Sequence, residues 1–170
     1  MKNSLILIFC LITFSTVRAQ NNVMQEQTEI NNIAGTYMLV KVDNVLADGS
    51  RVHLYGDNPY GILMLDNSGH YSLQITSENR QQFKSGDKSK GTDEENRQAI
   101  LGINTHFGTF TINMEMHTIT FFIKRASFPN WEGTYQVRPF TFNGSIFKYT
   151  VPAPTTGRSV TGEVEWKRME

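Results

Sequence analysis

From residue 35 onward, apolar and polar positions alternate in short runs, the period-two pattern of strands with one covered face. The run 133–142 shows it well: Tyr135 and Val137 fall on one face, and Gln136, Arg138, Phe140 and Phe142 on the other, because successive strand side chains point to opposite sides. In 70–76, Tyr71, Leu73 and Ile75 form the apolar face, and His70, Ser72 and Gln74 form a solvated outer one. The first strand, 35–42, carries Tyr37 and Leu39 on one face and Met38, Val40 and Val42 on the other. With both faces apolar, it reads as a strand covered on one side that closes a barrel on the other. Further strands are predicted at 60–66, 106–113, 117–124, 145–151 and 161–168, with a short candidate at 51–55. Asn67-Ser-Gly69 and Asn143-Gly144 are hairpin turns whose glycines tolerate positive φ.

One segment breaks the pattern. Residues 77–91 are too polar for a strand, and Thr92-Asp-Glu-Glu95 then forms a capping box, which predicts a short polar helix running to about Leu101 and stopping at Gly102. Such a helix can lie as a lid over an opening or plug a barrel end. Eight or so strands, one short helix and no βαβ unit predict an all-β fold, an eight-stranded antiparallel up-and-down barrel over residues 34–170. Closure removes the edges that so many strands would otherwise expose.

The N-terminal stretch changes the setting. Lys2, the apolar run Leu5 to Phe14 and the small residue ending Val17-Arg18-Ala19 read as a signal peptide over residues 1–19. The expectation is therefore a protein exported to the periplasm or secreted, with no stable membrane insertion. Residues 20–33 are Asn/Gln-rich and read as a flexible lead-in with a short helical turn. Cys10 is the only cysteine and lies in the leader, so the mature chain has no disulfide, thiolate or cysteine metal site. Without Lys2 and Arg18 the 16 basic residues fall to 14 against 16 acidic ones, and with no basic patch nucleic acid is a poor candidate partner.

Several stretches together resemble the bacterial lipocalin-like domain family of the calycin superfamily. They are Gly35-Thr36-Tyr37, Gly61-Ile-Leu-Met with Gly69-His-Tyr-Ser72, Thr92-Asp-Glu-Glu95, Gly108-Thr109-Phe110, Phe128-Pro-Asn-Trp131 with Gln136-Val-Arg138, and Glu165-Trp166-Lys-Arg168. They span nearly the whole mature chain. The resemblance implies a barrel with a central pocket, and a first-strand aromatic packed at the closed end against an arginine of the last strand, here Tyr37 with Arg168. Two departures stand out: Tyr37 replaces the usual Trp, and Phe121-Phe122 stand where many relatives carry histidines. Any chemistry those histidines perform in relatives does not carry over.

The chemistry-bearing residues are few. No two of His53, His70, His106 and His117 share a spacing that pairs them on one face of a strand or helix, so no metal and no other cofactor is expected. Phosphate-cradling glycine loops and nucleophile elbows are missing. What remains is a pocket lined by aromatics with a few polar groups: His106 and Arg138 as candidate catalytic residues, and Tyr60, Trp131, Gln136 and Tyr149 as substrate-binding ones, with His53 and Tyr55 at the rim. Arg138 is either an anion clamp or one half of an internal ion pair that pins the barrel. Two functions follow. One is a metal-independent carbon-oxygen lyase, a dehydratase in which His106 or a tyrosine acts as base and Arg138 stabilises a carboxylate enolate. What the resemblance implies of relatives acting on carbohydrate suggests a uronic-acid end of an oligosaccharide, in polysaccharide degradation, as its substrate. The alternative is a non-catalytic binder of a small apolar or amphipathic ligand.

Overall fold

The computed structural model describes residues 23–155 and 161–170. The leader expected over 1–19 lies outside the described residues. Strands β1 (Gly35–Val45), β2 (Arg51–Val52), β3 (Tyr60–Leu65), β4 (His70–Thr76), β5 (Ile103–Asn113), β6 (Thr118–Ala126), β7 (Tyr135–Phe142), β8 (Ile146–Val151) and β9 (Thr161–Arg168) form one antiparallel sheet. β2 pairs with the end of β1, while β1 and β3 to β9 follow one another and close through β1 against β9, from Tyr37↔Arg168 to Val45↔Thr161. The result is the expected closed eight-stranded up-and-down barrel.

Its interior is built by the alternation read from the sequence. Leu63 and Leu65 of β3, Tyr71, Leu73 and Ile75 of β4, Phe110 and Ile112 of β5, and Ile119, Phe121 and Ile123 of β6 are buried. So are Phe140 of β7, Phe147 and Tyr149 of β8, and Val164 and Trp166 of β9. The β3–β4 turn puts Gly69 at φ 79°, a conformation cheap only for glycine. Between His106 and Phe110, a Cβ on Gly108 would meet the Phe122 carbonyl oxygen at 1.9 Å, so this position admits the bulge of β6 only as glycine.

Three expectations change. Residues 23–33 form a helix, α1, where a flexible lead-in with one helical turn was expected, making two α-helices instead of one. Ile30 and Ile33 of α1 are buried in the core, and Tyr37 donates to the Ile33 carbonyl. The apolar anchors are only two, which is why the segment reads as weakly structured until the barrel end is there to receive it. Second, the outer face of β1 is uncovered, with Met38 and Val40 about half exposed. A bulge between Leu39 and Lys41 reverses the alternation, turning Val42 inward with Leu39. Third, the candidate strand 51–55 pairs only over Arg51 and Val52.

The closed end has the aromatic and arginine contact that the resemblance implied. Arg168 donates to the Tyr37 hydroxyl at 2.9 Å and to the carbonyls of Asn32 and Ala34, with its guanidinium 5.4 Å from the Tyr37 ring centre and 5.1 Å from that of Phe142. At the other end α2 (Asp93–Leu101) starts with the predicted capping box, Thr92 with Glu95, and stops at Gly102. It buries none of its residues.

Candidate functional site

α1 plugs one end of the barrel and α2 lies over the other. Between them is a cavity of about 1580 Å³, bordered at its mouth by Gln98, Ala99 and Ile100 of α2, by Leu54 and Tyr55 of the β2–β3 connection, and by Phe83. This exceeds the usual volume of a small-molecule pocket, which is roughly 300 to 1,000 Å³. Deeper in, the wall is made by inward positions of the strands: Asn104 and His106 of β5, Phe121 of β6, Gln136 and Arg138 of β7, and Tyr149 of β8. Trp131, in the 3₁₀ turn Pro129–Trp131 between β6 and β7, reaches the same cavity and stands edge-on to the His106 ring at 6.0 Å.

Of the residues singled out from the sequence, His106, Trp131, Gln136, Arg138 and Tyr149 therefore come together. Tyr60 does not. It begins β3 one position before the inward Gly61, so its side chain falls on the outer face, 66% exposed and off the cavity wall. His53 also departs from the expected rim: its Nδ1 sits 2.8 Å from an oxygen of Asp43, which Arg51 also binds. Tyr71 was read only as part of an apolar face. Its hydroxyl is 2.8 Å from His106 Nδ1, and its ring lies 4.6 Å from that of Phe121. A hydroxyl on an inward strand face was the signal available for it.

The electrostatics of the chamber centre on Arg138. Among the described residues it has no ion pair, and its one hydrogen bond is donated to Gln136 Oε1. Glu94 is the one carboxylate among the described residues that line the cavity, and it sits on α2, bonded to Gln98 at 2.6 Å. Among the described residues, the internal ion pair considered for Arg138 is thus not formed. Burial pushes the Arg138 guanidinium down from its usual pKa. Burial, and then the charge of Arg138, push His106 down to about 3, so the imidazole is neutral. Burial pushes Tyr149 up to about 12, and burial with Tyr149 alongside raises Tyr71. Among the described residues, the wall around Arg138 thus carries that cation beside the neutral Tyr149 phenol and the neutral His106 imidazole, while Arg80, Lys88 and Glu94 line the cavity from the loop before α2 and from α2 itself.

Among the described residues, no group of three or more His, Cys, Asp or Glu could hold a metal ion, and no helix is long and apolar enough to cross a membrane. A closed up-and-down barrel around an interior cavity with an aromatic and polar lining defines a small-ligand-binding fold. A family model for the lipocalin-like domain matches residues 34–169, and the chain belongs to that family. No curated protein and no solved structure matches the chain.

Proposed function

We propose that the barrel captures a small acidic ligand of amphipathic character, with its anionic head on Arg138 and Gln136 and its body along Phe121, Trp131 and the apolar mouth. The observation that carries this reading is the unpaired guanidinium facing the cavity. A cation drawn partly out of water costs free energy unless an anion meets it, and among the described residues no carboxylate lines the cavity beside Arg138. A ligand carboxylate would be held by charge-assisted hydrogen bonds in a chamber of reduced polarity.

Calorimetric titration with 2-naphthoate, dodecanoate and galacturonate tests it. At least one should bind, and Arg138→Met should weaken that binding by about 30-fold or more, the effect of removing one partner of a desolvated charge pair. Equal uptake by wild type and variant would overturn the reading.

A second reading is favoured by the Tyr71 and His106 pair lying beside Arg138. In it the protein is a secreted dehydratase: a base removes the proton next to the carboxylate of a terminal uronic acid, Arg138 stabilises the enolate, and water leaves from the neighbouring carbon. Mass spectrometry of uronic-acid oligosaccharides incubated with the protein decides between the two. Loss of one water from substrate selects the enzyme, and unchanged mass with saturable binding selects the binder. In either case we place the protein outside the cytoplasm, and N-terminal sequencing that finds Gln20 first would support that setting.

A further inference from the structure

We infer that Tyr71 sets which ligands the chamber accepts: by holding His106 as a hydrogen-bond donor, it makes the site one for a carboxylate and against the isosteric primary amide. This rests on the proposed binding of an anionic head at Arg138 and specifies its chemistry.

The argument is a donor and acceptor inventory. Tyr71 is 4% exposed and is not part of the cavity wall, so its hydroxyl hydrogen needs an acceptor within the protein. Among the described residues the one partner within reach is His106 Nδ1 at 2.8 Å. Were Nδ1 to carry the ring hydrogen, the phenol oxygen would accept it and the phenol hydrogen would be left without an acceptor. The satisfied arrangement has the hydroxyl donating to Nδ1, and the neutral ring then carries its hydrogen on Nε2. His106 lines the cavity, and among the described residues its hydrogen bond is at Nδ1, so the Nε2 N–H is available to a ligand. Gln136 is committed in the same way. Its carbonyl accepts from Arg138, leaving its NH₂ free, and Arg138 has only donors.

The hydrogen-bonding capacity left on His106, Gln136 and Arg138 is therefore dominated by N–H donors, against a single remaining lone pair on Gln136 Oε1, and the acceptor Asn104 Oδ1 on the same wall is itself buried. Two carboxylate oxygens, rich in lone pairs and free of hydrogen, match those donors. A primary amide puts an NH₂ of its own against these donors and brings no charge. The same tautomer bears on the elimination reading, since an Nε2 that holds a proton has no lone pair with which to take one.

The test compares matched pairs, 2-naphthoate with 2-naphthamide, dodecanoate with dodecanamide and galacturonate with galacturonamide, by calorimetry on wild type, Tyr71→Phe and Arg138→Met. Wild type should prefer the acid by about 100-fold or more, as sites built around a ligand's hydrogen bonds do when those bonds are left unmade. In Tyr71→Phe the ring is released to present a lone pair, and the preference should narrow about tenfold, the effect of one hydrogen bond. If no acid binds wild type, both this inference and the reading beneath it fall. If acids bind through Arg138 but wild type takes the amides equally well, or Tyr71→Phe leaves the preference unchanged, only this inference falls. Nitrogen-15 NMR of His106 in the wild-type protein needs neither ligand nor variant: a protonated Nε2 and a bare Nδ1 are expected, and the reverse assignment overturns the inference.

Discussion

Two arginines point into the barrel, Arg168 at the closed end and Arg138 from the middle of β7, and the protein treats them differently. Arg168, at the closed end, is bonded to a phenol and two backbone carbonyls and is in contact with the rings of Tyr37 and Phe142. Arg138, within the chamber, has the side-chain oxygen of Gln136 and, among the described residues, no carboxylate. The first guanidinium is used up in holding α1 and β1 to β9. The second is left with donors to spare in a space large enough for a ligand. An arginine whose hydrogen bonds end in the protein's own backbone serves the fold, and one whose donors end in a cavity is available for binding.

The contrast can be broken most severely at the closed end. Tyr37→Ala removes a ring with no exposure and the hydroxyl that Arg168 binds, and should cost about 3 to 5 kcal/mol in denaturant unfolding, as large aromatic truncations do. A loss under about 1 kcal/mol would show that the closed end is not the stabilising region. The chamber makes its own demand on stability through pH. His106 stays neutral down to about 3 in the folded chain against an ordinary 6.5, so below about 6.5 the unfolded chain takes up a proton that the folded one refuses. Stability should therefore fall as pH drops from 6.5 toward 3, by something on the order of 4 kcal/mol at about 1.4 kcal/mol per pKa unit. His106→Phe should flatten that slope. Asp43 contributes separately and at lower pH: against the upward push of burial, its bonds from Arg51 and His53 hold it below its usual value, and the stability this gives is lost as pH falls through the folded pKa.

The arginines themselves give the sharpest comparison at smaller magnitude. Arg168→Met should cost about 1 to 3 kcal/mol, because the carbonyls of Asn32 and Ala34 lose their donor. Arg138→Met removes a charge with no counter-ion and should leave the melting temperature unchanged or raise it, while weakening acid binding. Equal losses from the two substitutions would erase the distinction. The smallest effect belongs to the lid: Thr92→Ala breaks the capping box of α2 and should cost about 1 kcal/mol or less of helix stability. Amide exchange over 93–101 should quicken while exchange in the strands does not change.

Much of this was legible along the chain because it is local. The alternation in 70–76 assigned inward and outward faces correctly, that in 135–142 separated the two faces but left open which of them turned inward, and the turn at Asn67-Ser-Gly69 and the capping box at Thr92 formed as read. Local reasoning failed where one residue changed the phase. The bulge after Leu39 turned Val42 inward, and the start of β3 at Tyr60 put that ring outside the barrel. The bond between Tyr71 and His106 was not legible either. These residues lie 35 positions apart, and they meet only because β4 and β5 pair with Leu73 opposite His106.

By itself, then, the sequence determined the strands, their faces, the turns and the lid helix, since each depends on spacing within a few residues and on the period of the backbone. It also put Gln136 and Arg138 on one face with two phenylalanines. Only the tertiary structure decided that Arg168 would find backbone carbonyls and that Arg138 would find, among the described residues, an amide oxygen and no carboxylate. Those outcomes depend on register and closure around the whole barrel, which bring residues more than a hundred positions apart, such as Tyr37 and Arg168, to within hydrogen-bond distance.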